Sequence, residues 1–172
     1  MQPVAIIETE RLILRELEAA DAAFILELLN DPAWLRYIGD KGVRTLDDAR
    51  DYIRNGPADM YARYGFGLYR VETKDDGTPV GICGLLKRDT LPDVDIGFAF
   101  LPAFRAQGYA RESVVATLVH ARNVLKIERV IAITSIDNDD SGKLLEKVGM
   151  HFERMLQLSD HGEEVKLFAV DF

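Results

Sequence analysis

The amino-acid sequence predicts an α/β fold in which a mixed, mostly antiparallel sheet is flanked by helices. Two observations support this prediction. Three consecutive segments, 65–72, 80–87 and 94–101, have the apolar and alternating character of strands, which implies an antiparallel meander. Farther along, a segment with helical periodicity separates two strand-like segments, and such a unit favours a mixed sheet with helices on its faces. The predicted order is β-α-α-β-β-β-α-β-α-β-β.

Length, composition and charge narrow the class of protein. The 172 residues are 48% apolar and 29% charged, which predicts one globular domain over residues 1–172 and excludes fibrous and low-complexity classes. A net charge of −8 disfavours nucleic acid and anionic membranes as partners. The single cysteine, Cys83, has no partner for an intramolecular disulfide, and the first residues lack the pattern of a signal peptide, so we expect a cytoplasmic protein.

The N-terminal third of the chain predicts one strand and two helices. A short strand is expected around residues 12–14. Asp21 lies in the first turn of the first helix, where a carboxylate complements the helix dipole, and Asn30-Asp31-Pro32 ends that helix. Thr45 is a candidate N-cap for the second helix, and Asn55-Gly56-Pro57 breaks or restarts it.

The elements after the meander complete the predicted order. A helix of about four turns carries apolar residues between 114 and 125, and a β-branched strand follows over 130–136. A short helix opens near Asp139, and Gly149 closes it with a left-handed residue. A hairpin is expected over 152–172.

The most informative segment joins the third strand of the meander to the four-turn helix. It reads Leu-Pro-Ala-Phe-Arg-Ala-Gln-Gly-Tyr-Ala-Arg over residues 101–111. A strand-to-helix loop points free main-chain N–H groups and the positive end of the helix dipole into one small volume, which is the geometry that holds a phosphate or pyrophosphate. Gly108 and Ala110 leave that approach unobstructed. Residues 104–126 carry four basic residues against one glutamate, so an anionic ligand is expected there.

The other residues and motifs that could indicate catalysis or metal binding have structural explanations or are missing. Cys83 lies within a predicted strand and is expected to be a small buried residue rather than a nucleophile. The three histidines lack metal-ligand spacing, so no metal is expected, and His161 is predicted to lie in a hairpin turn. The sequence contains no Walker A motif, no Gly-x-Ser-x-Gly elbow and no dinucleotide-binding glycine pattern.

The loop and its surroundings resemble the GNAT superfamily of N-acetyltransferases. Members carry a pyrophosphate loop of the form Gln/Arg-x-x-Gly-x-Gly/Ala, which Arg105, Gly108 and Ala110 match. The resemblance covers most of the chain, from Glu10-Arg11-Leu12-Ile13-Leu14-Arg15 to the block that begins at Asn138. This combination is similar to the branch that contains the ribosomal-protein N-terminal acetyltransferases. It implies a GNAT-like fold and acetyl-CoA as co-substrate.

The resemblance also implies where acetyl-CoA is held. The pantetheine arm would pair with the main chain of Phe98, Ala99 and Phe100. The pyrophosphate would lie in a cradle formed by Arg105, Ala106, Gln107, Gly108, Tyr109, Ala110 and Arg111. The strands that end near Leu101 and Ile136 would splay apart to admit the arm. Asn138 resembles a cofactor-contacting asparagine, and the alternative is a turn residue that tolerates left-handed backbone angles.

Acetyl transfer requires a base for the amine, a donor for the developing oxyanion and a proton source for the departing thiolate. Asp95 is the candidate base, because strand alternation places it on the face opposite Ile96 and it need not enter the apolar layer. A solvated or ion-paired carboxylate is the alternative. Ser141 resembles a serine near the thiol that relays a proton, or it is an ordinary first-turn residue. Leu145 stands where many members carry a tyrosine acid, so that route is missing.

The sequence therefore predicts an enzyme that moves an acetyl group from acetyl-CoA directly to a primary amine in a ternary complex. The acceptor is a protein N-terminus or a small molecule, and the acidic balance favours cationic amines. Two alternatives stay open: a non-catalytic acyl-CoA-binding or regulatory module, and a nucleotide-phosphate binder unrelated to CoA. The oligomeric state is also open, with a homodimer among the options.

Overall fold

The fold is that of a computed structural model, which describes residues 4–160 and 162–172. The strands are β1 (Ala5–Glu8), β2 (Leu12–Glu16), β3 (Leu68–Thr73), β4 (Pro79–Leu86), β5 (Asp95–Phe100), β6 (Arg129–Ser135), β7 (His151–Gln157) and β8 (Glu164–Asp171). The α-helices are α1 (Ala22–Leu29), α2 (Pro32–Tyr37), α3 (Leu46–Ile53), α4 (Asp59–Tyr64), α5 (Tyr109–Asn123) and α6 (Asp139–Lys147). The predicted order of elements is present, with β1 and α2 added and α4 separated from α3.

The strands form one eight-stranded sheet in the order β1-β2-β3-β4-β5-β6-β8-β7. Neighbouring strands are antiparallel except β5 and β6, which are parallel. The predicted meander is β3-β4-β5, and the strand-helix-strand unit is β5-α5-β6. The predicted mixed, mostly antiparallel sheet is therefore confirmed.

Helices cover both faces of the sheet. Tyr69 and Cys83 belong to a buried cluster that includes residues of α5 and α6. Their neighbours Leu68 and Ile82 belong to a second cluster that includes residues of α1, α2 and α3. Because successive residues of a strand point to opposite faces, α5 and α6 cover one face and α1, α2 and α3 cover the other.

The N-terminal region differs from the prediction at β1 and α2. Among the described strands β1 pairs with β2 alone, at the edge of the sheet, and of its residues only Ile7 is buried, so its sequence gives a weak strand signal. Pro32 follows the end of α1 as predicted, but it also begins α2. A proline suits the first position of a helix because its missing N–H would have no partner there. Asp31 caps this helix by accepting a hydrogen bond from the Ala33 N–H at 3.1 Å.

Predicted helix ends are confirmed at two places. Thr45 is the N-cap of α3 and forms a capping box with Asp48. Gly149 follows α6 with a φ of 100°, the left-handed conformation expected at a helix end. The predicted interruption at Asn55-Gly56-Pro57 is a wide π-helical turn over Arg54–Ala58 that leads into α4. β7 and β8 form the predicted hairpin, and the prediction for His161 lies outside the described residues.

Candidate functional site

The candidate site is a gap between β5 and β6. In the described chain one residue pair, Asp95 and Ile131, joins these strands, and the Ile131 N–H donates to the Val94 carbonyl at 3.0 Å. Beyond that pair β5 stays paired with β4 as far as Phe100, and β6 stays paired with β8 as far as Ser135. The two strands therefore diverge toward their carboxyl ends, and the expected splay is confirmed.

Main-chain groups of β5 line one side of this gap. The Val94 carbonyl points toward β6, whereas the Leu101 N–H donates to a β4 carbonyl at 2.9 Å. Peptide groups of successive residues alternate between the two edges of a strand, so those of Phe98 and Phe100 face the gap. Ala99 is paired with β4 through the same alternation. This geometry narrows the prediction for an extended ligand to Phe98 and Phe100.

The loop after β5 presents the start of a long helix to the open end of the gap. Gly108 is the N-cap of α5, and no side chain of a described residue caps this helix. Ala106 and Gly108 have left-handed φ angles of 61° and 83°. The N–H groups of Gly108, Tyr109, Ala110 and Arg111 have no acceptor within the helix. The loop thus has the form expected of an anion-binding cradle.

The side chain of Arg11, the residue before β2, contacts this loop and the first turn of α5 at three points. Its Nη1 donates to the Gln107 carbonyl at 3.0 Å, and its Nε pairs with Glu112 Oε1 at 2.8 Å. Its guanidinium carbon lies 4.5 Å from the centre of the Tyr109 ring. Arg11 and Glu112 are 101 residues apart, and no local pattern in the sequence indicates that they meet. Arg11 is therefore a site residue that sequence reasoning missed.

The side chains of Arg105 and Gln107 form hydrogen bonds that fix the conformation of the loop. Arg105 Nε donates to the Phe100 carbonyl at 3.0 Å, and its Nη2 donates to Asp31 Oδ2 at 2.6 Å. Gln107 Nε2 donates to the Ala103 carbonyl at 3.0 Å. The side chains of these two predicted cradle residues are thus engaged in shaping the loop. The donors that the loop offers to an anion are then the main-chain N–H groups at the start of α5 and the exposed side chain of Arg111.

Asp95 lies at the closed end of the gap, flanked in the sheet by Leu86 and Ile131. It is 1% exposed, and neither carboxylate oxygen accepts a hydrogen bond from a described residue. Arg88 Nε lies 3.3 Å from Asp95 Oδ1. Burial raises the pKa of Asp95 to about 6, against the opposing charge of Arg88. The burial rules out the solvated alternative and corrects the expectation that Asp95 need not enter the apolar layer. The contact with Arg88 fits the ion-paired alternative, and the role of Asp95 as a base stays a prediction.

Asn138 and Ser141 lie together beyond the carboxyl end of β6. Asn138 is the N-cap of α6, and its Oδ1 accepts a hydrogen bond from the Ser141 N–H at 3.3 Å. Its φ of −91° corrects the alternative of a left-handed turn residue. Ser141 is half-buried in the first turn, and no hydrogen bond joins it to Asp95. Leu145, farther along α6, is fully buried.

The remaining residues that could carry chemistry were Cys83 and groups of metal-binding side chains. Cys83 is buried, its Sγ lies 3.5 Å from Thr117 Oγ1, and burial raises the pKa of this thiol to about 12, which confirms a core residue. Within residues 4–160 and 162–172, no three or more His, Cys, Asp or Glu side chains are grouped as metal ligands would be. No helix in the same ranges has both the length and the apolar character needed to cross a bilayer.

The sequence matches known acetyltransferases. Residues 11–151 fit a family described as the acetyltransferase (GNAT) domain. The chain is 28% identical over 147 residues to the uncharacterised N-acetyltransferase YnaD of Bacillus subtilis, an alignment that covers 86% of this chain and 83% of that protein. It is 27% identical over 154 residues to the uncharacterised N-acetyltransferase YoaA of the same organism, covering 88% of this chain and 86% of that protein.

Solved structures show the same fold. A GNAT-family acetyltransferase from Bacillus anthracis superposes with a TM-score of 0.79 at 25% identity, covering 96% of this chain and 97% of that one. The ribosomal L7/L12 α-N-protein acetyltransferase RimL, in complex with coenzyme A, superposes with a TM-score of 0.83 at 17% identity, covering 98% of each chain. At that identity the second likeness concerns the fold alone.

Proposed function

The chain belongs to the GNAT acetyltransferase family and is an acetyl-CoA-dependent N-acetyltransferase, and we propose that it binds acetyl-CoA in the β5–β6 gap and passes the acetyl group directly to a primary amine beside Asp95. One observation carries this proposal. The same gap has uncapped main-chain N–H groups at its open end and a buried carboxylate without a hydrogen-bond donor at its closed end. The proposed domain spans residues 1–172.

The cradle and the strand edge fit the two polar parts of acetyl-CoA. The N–H groups from Gly108 to Arg111 would hold the pyrophosphate at the positive end of the α5 dipole. The free Phe98 carbonyl and the Phe100 N–H would pair with the amides of the pantetheine arm as a neighbouring strand does. At ~3.3 Å per residue, β5 carries such an arm over roughly 20 Å, which brings its reactive end near Asp95.

Asp95 is the proposed base, because it is a buried carboxylate at that end and accepts no hydrogen bond from a described residue. With a pKa of about 6, it is mostly ionised at neutral pH and still basic enough to accept a proton from an amine. A protein N-terminus, with a pKa near 7.7 to 8.0, loses its proton to this base more easily than a lysine amine with a pKa near 10.4. The acceptor is therefore proposed to be a primary amine of the first kind or a small amine of similar basicity.

The developing oxyanion and the departing thiolate need separate partners. The Phe98 N–H faces the gap and is the proposed donor to the oxyanion, since the Asp95–Ile131 pairing occupies the edge before it. Ser141, half-buried at the start of α6, is proposed to supply or relay the proton to the thiolate. Acetyl-CoA when bound supplies the activated thioester. No covalent enzyme intermediate is required for this direct transfer.

The experiment that tests this proposal measures thiol release from acetyl-CoA with a panel of amines, with mass spectrometry of the products. The panel contains peptides with free N-termini, the same peptides with blocked N-termini, polyamines and amino acids. We expect release that depends on an acceptor and a product heavier by one acetyl group. CoA binding without turnover on any acceptor would favour the non-catalytic module, and thermal protection by ATP but not by CoA would favour the nucleotide binder. Cationic acceptors are expected to react faster than neutral or anionic ones.

The proposal extends to the cellular compartment and the oligomeric state of the protein. The single cysteine is free and buried, which supports a reducing compartment such as the cytoplasm. Acetylation in a ternary complex requires one chain, one acetyl-CoA and one amine, and a homodimer stays compatible with it.

A further inference from the structure

The short helix α2 lies across the open end of the β5–β6 gap. Its N-terminal end is tied to the segment that follows β5, because Asp31 Oδ2 accepts a hydrogen bond from Arg105 Nη2 at 2.6 Å. Arg105 in turn donates to the carbonyl of Phe100, the last residue of β5. Asp31 is 8% exposed, so this ion pair is sheltered on the carboxylate side.

The other end of α2 is tied to β6. Ser135, the last residue of β6, donates its hydroxyl to the Tyr37 carbonyl at 2.9 Å. Next to it, Arg36 Nη2 pairs with Asp137 Oδ2 at 3.0 Å. The helix therefore connects the ends of two strands that do not pair with each other at this level.

The length of α2 matches a particular width of gap. Six residues of α-helix extend over ~9 Å. Paired strands lie ~4.8 Å apart, so two strands with one extended chain between them stand about 9.6 Å apart. A helix of this length, with its end contacts to Arg105 and Ser135, is thus long enough to span a gap that holds one extended chain.

We infer that α2 is a spacer that holds the ends of β5 and β6 one chain-width apart, and that Asp31 is the positioning residue that ties this spacer to Arg105 and the cradle. The inference rests on the proposed function in one respect, since the chain that would fill the gap is the pantetheine arm of acetyl-CoA. The spacer keeps the gap open before the ligand arrives, which lowers the ordering cost of binding.

The substitution Asp31→Asn isolates this role. Asparagine caps a helix about as well as aspartate, so the bond from the Ala33 N–H is kept while the charge that holds Arg105 is lost. Ser135→Ala removes the hydroxyl anchor at the other end. Arg63→Gln is the matched control, because it breaks an exposed ion pair on α4. This helix leads into β3, which β4 separates from β5 and the gap.

Spin labels at Ala103→Cys and Ile136→Cys report the width of the gap, since both positions are exposed, while Cys83 is buried and does not compete for the label. With the spacer intact, we expect one narrow distance distribution that CoA leaves unchanged. With Asp31→Asn and Ser135→Ala together, we expect a broadened distribution that saturating CoA narrows again. An unchanged distribution in the ligand-free double variant would overturn the spacer.

Calorimetry on the unlabelled proteins completes the test. We expect Asp31→Asn to weaken CoA binding about tenfold, in line with the loss of one charge-assisted contact, and Arg63→Gln to leave it unchanged. A merely structural role for Asp31 would lower the melting temperature with no change in the affinity of the folded protein, and that result would contradict the inference. If the wild-type protein fails to bind CoA while the label distances still respond to Asp31→Asn, the spacer stands and the proposed function fails.

Discussion

Asp21 and Asp95 are two carboxylates buried to nearly the same extent, 3% and 1% exposed, and their surroundings are opposite. Asp21 accepts two hydrogen bonds from Arg15, one from Arg70 and one from the Glu18 N–H. Burial alone would raise the pKa of Asp21, but these donors outweigh it and hold the pKa below its usual value. Asp95 has one cation at 3.3 Å and accepts no hydrogen bond from a described residue. Burial raises its pKa to about 6 against the opposing charge of Arg88.

The two carboxylates differ in how fully their surroundings satisfy their charge. A buried charge that is fully hydrogen-bonded stabilises the fold and has no capacity left for a ligand. A buried charge that lacks donors carries a free-energy cost, and the fold retains it at the point where a gap in the sheet ends. The comparison therefore shows that Asp21 is satisfied by the fold, and it supports the proposal that Asp95 takes part in the chemistry.

The largest expected effect is on stability at Asp21. Asp21→Asn leaves Arg15 and Arg70 as buried guanidinium groups without a full counter-charge, so we expect the free energy of unfolding to fall by about 3–5 kcal/mol. Chemical denaturation at pH 7 measures this change. The activity of the molecules that stay folded is expected to match wild type, and a specific loss of turnover at unchanged stability would reverse the assignment.

The next effect is on turnover at Asp95. Asp95→Asn removes the proposed base and is expected to lower kcat by about 100-fold or more. In the wild-type enzyme, the pH profile of kcat/KM should show an acid limb governed by a pKa of about 6, and this limb should be missing in the variant. The exposed Asp89→Asn is the control. Equal turnover in Asp95→Asn and wild type would remove Asp95 from the chemistry.

Asp95→Asn is also expected to change stability, by less than Asp21→Asn and in the opposite direction. The pKa of Asp95 is higher in the folded than in the unfolded chain, so the folded state binds the extra proton between about pH 4 and pH 6 and the protein loses stability as the pH rises through that window. Asp95→Asn removes this penalty, so at pH 8 it is expected to raise the free energy of unfolding by about 2–3 kcal/mol and at pH 4 by little. Unfolding curves at both pH values measure the difference, and equal effects would contradict the raised pKa.

Local patterns predicted much of this molecule. The meander, the β5-α5-β6 unit, the Thr45 cap and the strand-to-helix loop at Gly108 all follow from periodicity and turn chemistry, and the structure contains them. β1 was missed because an edge strand of four residues with one buried side chain carries little pattern. α2 was missed because Pro32 serves both as the end of one helical pattern and as the start of the next.

The contacts that organise the site could not be predicted in the same way. Arg11 meets Glu112 across 101 residues, and Asp31 meets Arg105 across 74. Such pairs depend on which strands become neighbours, and a sequence pattern of period two or 3.6 does not contain that information. The burial of Asp95 depends on the same choice, since alternation gives its face and not what covers that face.

The central claim is that main-chain N–H groups at the start of α5 bind coenzyme A, and calorimetry on two matched glycine variants tests it most directly. Gly108 and Gly65 have left-handed φ angles of 83° and 77°, so alanine at either position costs about 1–2 kcal/mol of stability. A Cβ at Gly108 would also lie 3.1 Å from Arg11 Nη2, whereas a Cβ at Gly65 would have nothing within 4 Å. We predict that wild type and Gly65→Ala bind coenzyme A equally and that Gly108→Ala binds about tenfold more weakly. Absence of heat with the wild-type protein, or equal affinity in all three proteins, would contradict the account.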